Sequence, residues 1–135
     1  MCSMTSDNPD RPRIVLLDNE DTIRQILVQL LSGRGYQVYP FASKTEGLEW
    51  IVEIDPDLII SDLNSPGMTG FEFLTRIREN PATKDIPFVF YSGFDSRENR
   101  LSAFELGADD YLSKNPSFIS HYLFTVIERN LRKRA

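Results

Sequence analysis

Asp62 closes the apolar run Leu58-Ile59-Ile60-Ser61 and opens a segment, Asn64-Ser65-Pro66-Gly67-Met68-Thr69-Gly70, too rich in turn formers to continue a strand. A carboxylate at the C-terminal end of a strand either caps the turn that follows or does chemistry, for instance as a nucleophile. Three other strand-like runs end comparably. Ile14-Val15-Leu16-Leu17 runs into Asp18-Asn19-Glu20, Phe88-Val89-Phe90-Tyr91 into Ser92-Gly93, and Tyr111-Leu112-Ser113 into Lys114. Taken singly, Ser92 reads as a turn serine and Lys114 as a solvated lysine. Taken together, two acids, a hydroxyl and a lysine share one edge. Glu20 and Asp21 suit the first turn of a helix, where the macrodipole favours negative charge, whereas Asp18 is assigned to the site.

Positioning these groups requires parallel strands, and the chain has the pattern for them. Short apolar runs alternate with longer stretches of helical spacing, which predicts a three-layer α/β domain with helices on both faces of a parallel sheet. The first helix is expected from about Thr22 to Ser32, with Ile23, Ile26, Leu27, Leu30 and Leu31 facing the sheet and Gly33 just past its end. A strand at Gln37 to Pro40 follows. Ser43 then caps a helix carrying Leu48, Ile51 and Val52, which stops before Pro56. Phe71, Phe73, Leu74 and Ile77 belong to a third helix ending near Asn80-Pro81, and Leu101, Phe104 and Leu106 to a fourth that stops at Gly107. The last helix has Asn115 as its N-cap and Pro116 at the first helical position, with Phe118, Ile119, Tyr122, Leu123, Val126 and Ile127 pointing inward.

The 135 residues, 41% of them hydrophobic, fit one domain with one core. A formal net charge of -5 argues against a general nucleic-acid coat. The Arg129, Arg132, Lys133 and Arg134 cluster suits the negative end of a last helical turn, so no direct DNA binding is expected. Cys2 has no second thiol to pair with inside the chain, which fits a reducing compartment. Neither a signal peptide nor a run of membrane-spanning length is present. The expectation is a cytoplasmic protein without membrane association, divided into a flexible segment at 1–12, a folded domain at 13–131 and a basic end at 132–135.

Five β/α units with acids after the first and third strands, a hydroxyl after the fourth and a lysine after the fifth resemble the receiver domain of two-component response regulators, the CheY-like superfamily. The resemblance covers about Arg13 to Leu131. It is carried by Leu58 to Gly70, by Tyr91-Ser92-Gly93 and by Gly107-Ala108-Asp109-Asp110-Tyr111-Leu112-Ser113-Lys114. It implies a flavodoxin-like (βα)5 sandwich with strand order 2-1-3-4-5, for which a chemotaxis receiver is a standard example. It further implies that Asp62 is the phosphoacceptor, taking a phosphoryl group from a sensor histidine kinase or phosphotransfer protein and becoming an aspartyl phosphate. Lys114 would supply fixed positive charge, and Ser92 would hydrogen-bond the phosphoryl oxygen and, with Tyr111, act as the switch. Mg2+ would be held by Asp18, Asp62 and the backbone carbonyl of Asn64, with Asn19 or Glu20 a further candidate.

Two positions depart from the family pattern. Asn19 stands where the family usually has a second acid, which implies weaker Mg2+ binding. Lys114-Asn115-Pro116 stands where a lysine is typically followed directly by a cis proline; a cis bond before Asn115 would cost roughly 2.5 to 4 kcal/mol, so a trans Lys114-Asn115 bond or an irregularity moved to Asn115-Pro116 is expected. Phe94 occupies a position that in the family affects water access to the phosphoryl group. Regulation would then run through docking of an unknown downstream protein on the last helix and the strand and helix before it, or through onward phosphoryl transfer. Two alternatives remain: a receiver-like scaffold that docks independently of phosphorylation, and a phosphatase of the haloacid-dehalogenase type. The latter would want a second Asp two residues after the nucleophile, where Asn64 stands.

Overall fold

The computed structural model describes residues 11–93, 96–114 and 121–134. The strands are β1 (Arg13–Leu17), β2 (Gln37–Phe41), β3 (Leu58–Ser61), β4 (Phe88–Ser92) and β5 (Asp110–Ser113). They alternate with α1 (Asp21–Gly33), α2 (Lys44–Ile54), α3 (Gly70–Glu79), α4 (Arg97–Glu105) and α5 (His121–Arg134). All four strand pairings are parallel and the order is β2-β1-β3-β4-β5. This is the expected flavodoxin-like arrangement. Because every strand runs the same way, all five helices start from the edge where the strands end.

Period-two alternation sends side chains to two separate apolar layers. Val15, Leu17, Ile59, Phe88, Phe90 and Tyr111 face the layer closed by Ile51 and Ile54 of α2, Phe73, Leu74 and Ile77 of α3, and Ala103 of α4. Ile14, Leu16, Leu58, Ile60, Val89 and Leu112 face the opposite layer, closed by Leu27 and Leu31 of α1 and Leu123, Phe124, Val126 and Ile127 of α5. Phe88 packs edge-on against Phe90, with ring centroids 4.9 Å apart. Burying an aromatic side chain of this kind contributes about 1.5–3 kcal/mol.

Helix starts follow from their caps. Ser43 Oγ accepts the Glu46 amide at the start of α2, as its position in the sequence indicates, and Ser96 does the same for Asn99 before α4. Thr69 and Glu72 form a reciprocal capping box at α3. Helix α2 stops at Asp55, whose left-handed φ of 49° turns the chain toward Pro56.

Ile26 of α1, expected to face the sheet, is exposed, as is Val52 of α2. On α4 Ala103 is buried, while Leu101 and Phe104 are exposed, as is Leu106 just after it. Tyr122 of α5 is likewise exposed, whereas Leu123, Val126 and Ile127 are buried as expected. Gly33 ends α1 from inside the helix and Arg34 caps it, while Gly35, at φ 92°, makes the turn into β2. Helix α5 continues through Arg134, so the basic end at 132–134 is its last turn. The expectations for Asn115, Pro116, Phe118 and Ile119, the Lys114-Asn115 peptide, Phe94 and most of segment 1–12 fall outside the described residues.

Candidate functional site

The strand ladder continues one residue past β1, β3 and β5, and this places the site. Asp18 N donates to Phe41 O at 3.1 Å, Asp62 N to Leu17 O at 2.9 Å, and Lys114 N to Ser92 O at 2.7 Å. Three of the sequence-predicted residues thus have backbones fixed by the sheet while their side chains emerge at its C-terminal edge. Gly70 closes the turn after Asp62: its amide donates to Leu63 O at 2.7 Å. A Cβ there would lie 2.8 Å from the Asp62 carbonyl and 2.7 Å from the Phe90 ring, so the close approach requires glycine.

Glu20, Asp62, Leu63, Asn64, Ser92, Gly93 and Lys114 line one cleft of about 110 Å³. The cleft therefore brings together the acid, hydroxyl and lysine singled out in the sequence. Asp18 lies beside it, 1% exposed, with Oδ1 accepting the Glu20 amide at 2.9 Å and Oδ2 3.1 Å from Lys114 Nζ. Lys114 also reaches Glu20 at 3.2 Å and lies over the Tyr91 ring at 5.7 Å. Burial pulls the Lys114 ammonium down, but the charges of Asp18 and Glu20 outweigh it and leave it above the usual lysine value. Tyr91 is raised by burial, against the opposing charge of Lys114.

Sequence reasoning missed one residue of this cluster. Lys44, the first residue of α2, is 3% exposed and donates to Asp62 Oδ1 and to Ser65 Oγ. On its other oxygen, Asp62 accepts the Asn19 amide, at 3.4 Å. Burial raises the Asp62 carboxyl above the usual range, while the hydrogen bond and charge of Lys44 act against that rise. The Asn19 side chain is exposed, so its contribution here is its backbone N–H. Tyr111 is 4% exposed, packed against Phe90 at 6.1 Å with the Arg100 guanidinium 5.0 Å from its ring.

Residues 14–120 match the family model of the response regulator receiver domain. The chain belongs to this family. Over 103 residues, 76% of its length, the receiver domain is 33% identical to the DNA-binding dual master transcriptional regulator RpaA of Synechocystis sp., of which the match covers 43%. It is 32% identical over 101 residues to the phosphate regulon transcriptional regulatory protein PhoB of Pseudomonas aeruginosa, covering 75% of this chain and 44% of that protein. The chain thus matches less than half the length of these curated relatives. The crystal structure of chemotaxis protein CheY4 of Vibrio cholerae superposes with a TM-score of 0.80 at 30% identity, covering 88% of this chain and 98% of that one.

Receiver domains are regulatory phosphoacceptors of two-component systems and generally bind Mg2+ at the phosphorylation site. The donors here suit that ion in type. Two buried carboxylates beside a polar cleft fit a hard cation that commonly takes one or two carboxylates and keeps several waters. Among the described residues, no group of three or more His, Cys, Asp or Glu side chains could hold a metal. No helix among them is long and apolar enough to cross a membrane.

Proposed function

We propose that the receiver domain accepts a phosphoryl group on Asp62 from a phosphohistidine of a sensor histidine kinase or phosphotransfer protein, and that the aspartyl phosphate changes which protein it docks to. The observation that carries this is the convergence of Asp62, Ser92 and Lys114 on one small cleft. A carboxylate oxygen of Asp62 attacks phosphorus, the O–P bond forms as the P–N bond breaks, and the imidazole departs with the electron pair. The transferring group spreads negative charge over three oxygens, so positioning and neutralisation do most of the work. Lys114, anchored by its amide on Ser92 O, supplies fixed positive charge at the cleft wall. Ser92 offers its hydroxyl to a phosphoryl oxygen from the neighbouring strand end.

Asp18, Asp62 and the Asn64 backbone carbonyl would hold Mg2+, with Asn19 or Glu20, the latter in the cleft wall, a further candidate. Bound there, the ion supplies additional charge neutralisation for the phosphoryl oxygens. Asn19 in place of an acid makes that binding weak. Tyr111 reads out the state of Ser92 through the adjoining β4 and β5 strands, whose register pairs Ser92 with Ser113 and Phe90 with Tyr111. The exposed apolar side chains of α4, with Tyr122 on α5, support a protein-docking surface on that side. Arg129 and Lys133 pair with Asp110 and Asp109 at 2.7 and 3.6 Å, which favours a structural use of the basic last turn over direct DNA contact. We place this activity in the cytoplasm, within a domain at 13–131, and regard it as regulatory rather than enzymatic.

Incubation with Mg2+ and acetyl phosphate, followed by intact-mass measurement beside Asp62→Ala, tests the reading. Addition of one phosphoryl mass to the unaltered chain alone is expected. A second reading, a scaffold that docks without phosphorylation, draws on Asn19 and on the lysine already seated on Asp62. It predicts no mass gain and a docking affinity indifferent to the phosphodonor.

A further inference from the structure

Lys44 sits where two effects disfavour a lysine. Its side chain is 2% exposed, and an ammonium is costly to bury. It also occupies the first residue of α2, immediately after the Ser43 cap, where the positive end of the helix dipole repels a cation. The compensation is specific: one Asp62 oxygen and the Ser65 hydroxyl, both on the β3 side of the edge. Helix α2 begins three residues after β2 ends, and β1 separates β2 from β3, so the long side chain spans a strand to reach its partner.

A count of charges gives the consequence. Asp18 and Asp62 are the two buried acids of the site, and each is paired with a lysine, Asp18 with Lys114 and Asp62 with Lys44. With the exposed Glu20, which shares Lys114, three negative and two positive charges leave the site at -1, against -2 without Lys44, and a less negative site attracts a dication more weakly. Lys44 also distinguishes the two Asp62 oxygens. Oδ1 accepts from an ammonium, whereas among the described residues Oδ2 receives the long contact from Asn19 N.

We propose that Lys44 is a built-in counter-ion and positioning residue of the phosphoacceptor site. It fixes Asp62 through Oδ1, leaves Oδ2 as the oxygen that bonds to phosphorus, and lowers the affinity of the site for Mg2+ by cancelling one of its two buried negative charges. The proposal rests on Asp62 being the phosphoacceptor, but its test needs no phosphoryl transfer and can succeed or fail independently of that reading.

Mg2+ alone is titrated by calorimetry into the unaltered protein, Lys44→Gln and Lys44→Arg. Lys44→Gln keeps a hydrogen-bond donor and removes the charge, so it is expected to bind Mg2+ more tightly by at least about tenfold. Lys44→Arg, which keeps the charge, is expected to stay near the unaltered affinity. Equal affinities for Lys44→Gln and the unaltered protein would overturn the proposal, as would equal tightening in both variants, since that reflects altered packing rather than charge. Should the variants not fold, nitrogen-detected NMR of the lysine side chains in the unaltered protein decides. A Lys44 ammonium protected from solvent exchange and perturbed by Mg2+ supports the counter-ion role. One that exchanges like a surface lysine and ignores the ion refutes it.

Discussion

The two acid–lysine pairs of the site are built alike in chemistry and differently in setting. Asp62 and Lys44 are 3% and 2% exposed, and among the described residues the ammonium's other partner is the Ser65 hydroxyl. Asp18 is as deeply buried, but its partner Lys114 is 14% exposed, lines the cleft, and is shared with the exposed Glu20. A closed pair fixes a side chain. An open pair keeps its cation available to something that enters. Under the proposed function, the contrast gives Lys44 the part of holding Asp62 and Lys114 that of meeting the incoming phosphoryl oxygens, although both are lysines bound to aspartates that follow the end of a strand.

The comparison can be broken most directly through stability. Lys44→Met leaves Asp62 buried without its counter-charge and is expected to cost about 3 kcal/mol, the low end for breaking a buried pair because Asp62 also borders the cleft and can take up water there. Lys114→Met should cost less, about 2 kcal/mol, because Asp18 keeps the Glu20 amide on Oδ1 and the lysine it loses is already partly solvated. Urea unfolding of both variants in EDTA measures the difference, and equal losses would remove the distinction between closed and open pairs. Gly70→Ala attacks the same closed region through the backbone. Its new methyl must displace the Asp62 carbonyl and the Phe90 ring, at an expected cost of about 2 kcal/mol, visible as a lowered thermal midpoint.

Charge added on the open side sharpens the contrast in the other direction. Asn19→Asp places a carboxylate beside Asp18 and Asp62 without disturbing either lysine, and it is expected to tighten Mg2+ binding by about tenfold. Calorimetric titration beside Lys44→Gln tells whether adding an acid and removing a buried cation are equivalent. Unchanged affinity in Asn19→Asp would mean that an exposed carboxylate at that position does not reach the ion.

What could be read from the sequence follows the same division. Asp18, Asp62, Ser92 and Lys114 were legible because each ends an apolar run, and parallel pairing necessarily carries such ends to one edge. Ser43 and Pro56 were legible as a helix cap and a helix stop because their chemistry is local. Lys44 was not, although a cation at the first position of a helix that begins at the functional edge was a usable signal. Its role depends on a side chain crossing from β2 to β3, a tertiary distance that periodicity does not encode. Spacing likewise does not reveal which face of a short helix meets the sheet: α4 rests on Ala103, while Leu101 and Phe104 stay exposed.

The smallest effect concerns pH. Lys114 holds its proton more tightly in the folded chain than its ordinary value of 10.5 implies, because Asp18 and Glu20 outweigh the burial that opposes them. A group whose pKa is raised by folding binds more protons folded than unfolded above its ordinary value, so stability falls as pH rises through that interval. The contribution of the open pair is therefore complete below about pH 10 and is lost as pH passes the raised value. Tyr91 adds a loss of the same sign, since burial also raises it above its ordinary 10.0. Stability measured in EDTA across this alkaline range should decline less steeply in Lys114→Met than in the unaltered protein, and less steeply again when Tyr91→Phe is combined with it. If Lys114→Met leaves the slope unchanged, Lys114 gains no net charge stabilisation from Asp18 and Glu20, and the cation at the cleft wall is held by its backbone bond to Ser92 alone.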